Sequence, residues 1–163
     1  MRAAVVTANE RVEYQEIPEP EVKKGYVKVK VRYSGICGSD IPRVLNHGVH
    51  FYPIVLGHEF SGDVVEVGEG VTKVKVGDRV SGAPLVPCMK CGDCQKGNYS
   101  LCKHYSFIGS REQGSNADYV VIPEQNAVPF DKSVPYDQAA MFEPSTVALH
   151  GLFQNDYQGG EYV

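Results

Sequence analysis

The sequence has 163 residues, with 16 basic and 20 acidic side chains and a formal net charge of −4. This length suits about one domain with its own core. The acidic balance and the lack of any basic block argue against a nucleic-acid-binding surface. No apolar run approaches the ~20 residues of a membrane-spanning helix, and the N-terminus lacks the features of a signal peptide. We therefore expect a cytoplasmic protein without nucleic-acid or membrane partners.

Short β-strands are predicted along most of the chain. Residues 26–33 alternate apolar and charged side chains, as a half-solvated antiparallel strand does. Many short strands between Gly and Pro turns are typical of a partly closed barrel. We predict a mainly β fold with short helices, a partly open β-barrel. The predicted strands are residues 1–7, 12–17, 26–33, 62–67, 74–80 and 117–122.

Two helices are predicted. The first follows Ser39 or Asp40 as its N-cap, has Pro42 in its first turn and ends before Gly48. The second covers residues 136–152. Residues 68–70 contain two glycines but do not begin a dinucleotide fingerprint, because Lys73 replaces the third glycine and a strand follows.

Four of the five cysteines lie in one loop, over residues 84–104. Two-residue gaps and one longer gap allow four sulfurs to surround one centre, as structural zinc requires. An iron–sulfur cluster is the main alternative, and disulfides or free thiols are the other. Four sulfurs leave no position for a substrate, so this site is predicted to be structural. The four residues are Cys88, Cys91, Cys94 and Cys102.

A second set of candidate metal ligands comes from distant points of the chain. His58 precedes Glu59 beside an apolar run, Cys37 lies upstream, and Glu143 lies far downstream. A thiolate, an imidazole and a carboxylate suit a zinc site with an open fourth position, which is typical of a catalytic metal. Two alternatives remain open: His58 could be a hydrogen-bonded core histidine, and Glu143, followed by Pro144, could be a helix cap.

Together these motifs resemble the zinc-dependent medium-chain alcohol and polyol dehydrogenases. The resemblance covers nearly the whole chain and is strongest to the subgroup that acts on phosphorylated polyols, although sorbitol and threonine dehydrogenases share much of it. It implies a GroES-like catalytic domain over residues 1–155, with the zinc lobe at 84–104. Residues 156–163 are expected to begin the link to a nicotinamide-binding Rossmann domain. The motifs are residues 37–43, 50–62, 68–71, 105–111 and 142–150.

The resemblance also implies roles for individual residues. Cys37, His58 and Glu143 are similar to the catalytic zinc ligands, with Glu59 as a neighbouring or exchanging ligand. Zinc acts in the family as a Lewis acid that lowers the pKa of an alcohol, whose carbon gives hydride to NAD. Ser39 either passes the hydroxyl proton outward or caps a helix. The cofactor contacts that we expect from this chain are Gly38, Ser39 and Val147.

We therefore expect two zinc ions per chain, a polyol or polyol phosphate substrate, and NAD or NADP held by the absent domain. The full-length protein is expected to be a homo-oligomer, and the chain alone to be inactive. Arg43 and Arg111 are candidates for holding a substrate phosphate, although ordinary surface arginines are the simpler interpretation. The alternative function is a zinc-stabilised binding module, which needs the four-cysteine site alone.

Overall fold

The computed structural model describes residues 1–154 and 159–160. The predicted link at 156–163 therefore lies almost entirely outside the described residues. The strands of the described chain pair antiparallel. In chain order they are β1 (Arg2–Ala8), β2 (Arg11–Glu16), β3 (Tyr26–Ser34), β4 (Ile54–Val55), β5 (Phe60–Val67), β6 (Arg79–Gly82), β7 (Leu85–Val86), β8 (Ser106–Phe107), β9 (Tyr119–Pro123) and β10 (Ala127–Pro129).

The helices are short. None in the described part of the chain is long and apolar enough to cross a membrane. In chain order they are α1 (Asp40–Pro42), continued by a π-helical turn (Arg43–His47), α2 (Gly92–Gln95), α3 (Tyr136–Ala140) and α4 (Phe142–Phe153), with 3₁₀ turns at Tyr99–Leu101 and Glu124–Asn126.

The strands form a five-stranded sheet, β10-β6-β5-β3-β9, a three-stranded sheet, β2-β1-β4, and the pair β7-β8. The segment before β9 connects the two larger sheets. The Asp118 N–H donates to the Arg2 carbonyl of β1 at 2.9 Å, while the Asp118 carbonyl accepts from Val31 of β3 at 3.0 Å. The sheets therefore curl into one partly open barrel, which confirms the predicted fold class.

The barrel core is built by the inward faces of β3, β5 and β9. Val27 and Val29 of β3 are fully buried, whereas Lys30, the residue after Val29, is exposed. Phe60 at the start of β5 is also fully buried and lies against Gly82, where any Cβ atom would overlap its ring. The strict alternation that predicted β3 from sequence is thus the alternation between core and solvent.

The predicted strand at 74–80 is wrong over most of its length, since β6 begins at Arg79. The Asp78 carboxylate accepts from the backbone N–H of Lys75 at 3.0 Å, and Gly77 adopts a φ of 90°. These local bonds form a turn, which competes with the extended conformation that the valines favour.

The helix predicted at 136–152 is interrupted. Met141 separates α3 from α4 with φ −83° and ψ −1°. Pro144 explains the break, because it has no N–H to donate to the Ala140 carbonyl and its ring would clash with that carbonyl in a continuous helix. As a result Glu143 lies in the first turn of a separate helix.

Helix α3 is anchored to β5 by its first residue. The Tyr136 hydroxyl donates to the Asp63 carboxylate, and the Tyr136 carbonyl accepts from Ser61 Oγ. Arg32 also donates to Asp63, at 2.7 Å, and the Arg79 guanidinium lies 4.4 Å from the centre of the Tyr136 ring. This network fixes the segment that leads to Glu143 against the barrel.

Burial acts to raise the pKa of Asp63, but hydrogen bonds from Tyr136 and Arg32 outweigh it, so the pKa is lowered. A carboxyl whose folded pKa is lowered stabilises the fold above its unfolded pKa and loses this effect as the pH falls through its folded pKa. We expect Asp63→Asn to lower the free energy of unfolding by about 1–3 kcal/mol at pH 7 and by much less near pH 3. Urea unfolding at both pH values measures this. Tyr136→Phe, which removes one donor, is the matched control and should cost less; a cost of Asp63→Asn that does not change with pH would contradict the assignment.

Candidate metal centres

The four clustered cysteines lie on a lobe between β7 and β8. Helix α2 carries Cys94, a 3₁₀ turn ends just before Cys102, and Cys88 and Cys91 lie on the preceding loop. One sulfur from each residue lies within 4.8 Å of the other three. The Sγ atoms of Cys88 and Cys94 are 3.9 Å apart, and those of Cys91 and Cys102 are 4.0 Å apart.

These sulfur–sulfur distances can be compared with those of a disulfide and of a four-sulfur zinc site. All five cysteines are free, and the sulfur separations are far longer than the ~2.05 Å of a disulfide. A tetrahedron with zinc–sulfur bonds of ~2.3 Å has sulfur–sulfur edges of about 3.8 Å. The four sulfurs therefore fit one zinc ion without rearrangement.

The backbone around the lobe favours thiolates. The N–H groups of Lys90 and Cys91 donate to the Cys88 sulfur at 3.5 and 3.4 Å, and they lower the pKa of Cys88 to about 6. Burial raises the pKa of Cys94 to about 12. Cys94 and Cys102 are buried, whereas Cys88 and Cys91 are partly exposed, and a divalent cation would stabilise the thiolate form of all four.

A second cluster joins distant parts of the chain. Ligand atoms of Cys37, His58 and Glu59 lie within 4.8 Å of one another. Cys37 follows β3, whereas His58 and Glu59 lie between β4 and β5. His58 is 4% exposed, and its Nδ1 atom has no hydrogen-bond partner among the described residues. An unpaired buried imidazole nitrogen is costly, and a coordinated cation would satisfy such a lone pair.

Glycine makes this cluster possible by letting two loops touch through their backbones. Gly57 has a φ of 98°, which places His58 at a turn, and a Cβ atom there would meet Asn116 and Ser115. On the opposite loop, a Cβ atom at Gly109 or Gly114 would overlap the Gly57 carbonyl. The Ser115 N–H donates to that carbonyl at 3.0 Å.

The surroundings of the cluster fix the side chains next to it. Phe107 meets the His58 ring edge to face, with the ring centres 5.4 Å apart. The Gly35 N–H donates to the Glu59 carbonyl at 2.6 Å, and a side chain at Gly35 would overlap the Glu59 carboxylate. The sequence did not predict that Phe107 packs against His58 or that Gly35 lies against Glu59. For Gly35 the available signal was the residue type, because a glycine two residues before Cys37 indicates a turn or a close backbone contact.

Glu143 is not part of the 4.8 Å group, although it lies beside it. Burial raises the pKa of Glu143, and the nearby charges act in opposite directions, with His58 lowering it and Glu59 raising it. The Glu143 carboxylate therefore shares the electrostatic environment of the cluster, and the structure places Glu59 nearer to Cys37 and His58.

Ser39 occupies the N-cap position of α1, as predicted, but its side chain forms no cap hydrogen bond. Its hydroxyl instead donates to the Cys37 sulfur at 3.2 Å and accepts from Arg43 at 3.0 Å. Asp40 is 3% exposed and accepts from Arg43 at 2.8 Å. The expected cofactor contacts, Gly38 and Val147, are both exposed to solvent, Val147 at 65%.

Comparison with known proteins identifies the family. Residues 23–132 match the model of the alcohol dehydrogenase GroES-like domain. The chain belongs to this family. The GroES-like fold expected from the resemblance is therefore confirmed.

Relatives of this GroES-like domain are dehydrogenases. It is 44% identical over 151 residues to galactitol 1-phosphate 5-dehydrogenase of Escherichia coli K12, covering 92% of this chain and 44% of that protein. It is 41% identical to sorbitol dehydrogenase of Halalkalibacterium halodurans, covering 91% of this chain and 44% of that protein. The chain thus spans less than half the length of these relatives.

Solved structures similar to this chain are also dehydrogenases. The crystal structure of galactitol-1-phosphate dehydrogenase from Escherichia coli superposes with a TM-score of 0.92 at 43% identity, covering 96% of this chain and 45% of that one. An alcohol dehydrogenase from Escherichia coli CFT073, complexed with NADH, superposes with a TM-score of 0.89 at 34% identity, covering 96% of this chain and 46% of that one.

We expect Cys102→Ser to open the lobe while leaving the barrel folded, because no residue between 88 and 102 belongs to the hydrophobic core clusters of the described chain, which could replace a lost metal. Hydrogen exchange by mass spectrometry should show amides at 88–102 exchanging at least roughly tenfold faster, with β3, β5 and β9 unchanged. Cys37→Ser, which also removes one thiol, is the matched control and should leave the lobe protected. Equal lobe protection in Cys102→Ser and the unmodified chain would rule out a metal-held lobe.

Proposed function

We propose that this chain is the catalytic domain of a zinc-dependent, NAD(P)-linked dehydrogenase that oxidises a secondary alcohol of a polyol or polyol phosphate, such as galactitol 1-phosphate. The convergence of Cys37, His58 and Glu59 is the observation that carries the proposal. A binding module held by the four-cysteine lobe has no use for this second cluster. A sorbitol-type or threonine-type dehydrogenase is the nearest alternative within the same chemistry.

In the proposed enzyme, two zinc ions bind each chain. Cys88, Cys91, Cys94 and Cys102 hold a structural ion, and Cys37, His58 and a carboxylate hold the catalytic one. The catalytic zinc supplies Lewis acidity, which lowers the pKa of an alcohol. We propose that Glu59 and Glu143 exchange as the carboxylate ligand, which is supported by the position of Glu59 within 4.8 Å of Cys37 and His58 and by the electrostatic influence of His58 and Glu59 on Glu143.

Oxidation of the alcohol breaks one C–H and one O–H bond. A bound nicotinamide cofactor would supply the hydride acceptor, and the proton would have to leave the site. Ser39 is suited to accept this proton, since its hydroxyl lies 3.2 Å from the Cys37 sulfur and is exposed to solvent. Phe107 and the buried face of His58 exclude water from one side of the centre.

The cofactor is proposed to bind between this domain and the part of the enzyme that the chain does not span. Gly38 presents backbone next to open space, since a Cβ atom there would meet no atom within 4 Å. Val147 offers an exposed apolar side chain on α4. We propose that these two residues and Ser39 contact the nicotinamide cofactor, and that the chain alone does not turn over polyols.

Metal analysis tests the proposal. The chain purified with zinc should hold about two ions, and Cys37→Ser about one, because the four-cysteine lobe is untouched. Elemental analysis by mass spectrometry gives the count. Two ions retained by Cys37→Ser, or one ion in the unmodified chain, would refute the catalytic site and favour the binding module.

A pair of isosteric substitutions separates the two carboxylates. We expect Glu59→Gln to weaken zinc binding at the catalytic site by roughly 100-fold or more, and Glu143→Gln by about 10-fold, since a nearby group affects affinity less than a direct ligand. Competition with a chromogenic chelator measures both. The reverse order would make Glu143 the principal ligand.

A further inference from the structure

Arg43 and Arg111 face the same cavity, although they come from different loops. The cavity has a volume of about 380 Å³. A neighbouring cavity of about 260 Å³ shares Arg43, His50 and Ser110 with it. The remaining residues that line the larger cavity are Leu85, Ser100, Tyr105, Phe107 and Arg111.

The charged side chains that line these two cavities are basic. Neither cavity is lined by an Asp or Glu residue. Arg111 forms no ion pair with a carboxylate of the described residues, and its guanidinium carbon lies 4.8 Å from the centre of the Tyr105 ring. Stacking on an aromatic ring holds an arginine in place without neutralising it.

The Arg43 side chain is fixed by hydrogen bonds to residues of its own segment. Its Nη1 atom donates to Asp40 at 2.8 Å and to Ser39 at 3.0 Å, while its other N–H groups have no hydrogen-bond partner among the described residues. Asp40 is almost fully buried, so it orients the guanidinium without lining the cavity. A guanidinium has five N–H donors and can bind an anion on a second edge.

The cavity lies beside the candidate catalytic centre. Arg43 contacts Ser39, and Ser39 donates to the Cys37 sulfur at 3.2 Å. Phe107, on the cavity wall, packs against the His58 ring. A small molecule whose anionic end occupies this cavity therefore has its other end close to Cys37 and His58.

We propose that Arg43 and Arg111, with the Ser110 and His50 side chains, form the phosphate-binding subsite of this enzyme, so that its substrates are polyol monophosphates. This inference rests on the proposed dehydrogenase function and specifies its substrate class. A phosphate monoester carries two negative charges near pH 7 and three acceptor oxygens, which two guanidinium groups match in geometry and sign. An unphosphorylated polyol would leave Arg111 without a carboxylate or phosphate partner and the remaining N–H donors of Arg43 unused.

Calorimetric titration of the zinc-loaded chain with galactitol 1-phosphate, galactitol and inorganic phosphate tests the subsite. We expect galactitol 1-phosphate to bind at least tenfold more tightly than either of the other two, because it alone contacts both the cavity and the metal centre. Arg111→Gln should weaken binding of galactitol 1-phosphate by at least about tenfold, the loss expected for a hydrogen bond to a charged group, and leave binding of galactitol unchanged.

Controls separate this effect from folding and from net charge. Arg111→Lys keeps the charge and should recover part of the affinity. Lys30→Gln removes one exposed positive charge that lines neither cavity, and it should have no effect. Arg43→Gln should resemble Arg111→Gln, with zinc content measured to show that the centre beside it is intact.

The outcomes distinguish the two proposals. If the chain holds zinc at Cys37 and His58 but binds galactitol 1-phosphate no better than galactitol, the phosphate subsite is wrong and the dehydrogenase proposal stands. If inorganic phosphate binds as tightly as the ester, the cavity is a general anion site and the substrate class is wrong. Failure to bind the second zinc overturns the proposed function itself.

Discussion

The close contact between two backbone loops holds the candidate catalytic centre in place. The loop that carries His58 and Glu59 bonds to residues 114–116 through three N–H···O hydrogen bonds of 2.7 to 3.0 Å. Such contact requires glycine, since a Cβ atom at Gly109 or Gly114 would overlap the Gly57 carbonyl. Without this approach, His58 would not face Cys37, and the cavity wall at Phe107 would move with it.

The two candidate metal centres differ in how far apart their ligands lie in the sequence. In the cysteine lobe all four candidate ligands lie between residues 88 and 102, so a short segment would surround an ion and leave no open position. The other centre takes Cys37 from one segment and His58 from another, and the barrel must fold before they meet. Ligands that are close together in the sequence suit a structural metal. Ligands that are far apart in the sequence place an ion where side chains from several elements can form a site around it.

Acidic and basic side chains both lie near the second centre. Glu59 belongs to the cluster and the half-buried Glu143 lies beside it, while Arg43 lines the neighbouring cavity. Ser39 lies between, bonded both to Cys37 and to Arg43. The residues at the start of α1 thus connect the Cys37 thiol to the Arg43 guanidinium, and buried Asp40 holds that guanidinium in place.

Sequence alone determined the features that depend on local pattern. Alternation predicted β3, and cysteine spacing predicted the four-sulfur lobe, because neighbours in the chain decide both. Sequence was wrong at 74–80, where the Asp78 side chain and Gly77 form a turn, and at Met141, where Pro144 interrupts the helix. Only the tertiary structure decided that Glu59 rather than Glu143 lies nearest Cys37, and that Arg43 and Arg111 share a cavity. These relations join residues far apart in the chain, and the closing of the barrel sets their distances, which no local pattern encodes.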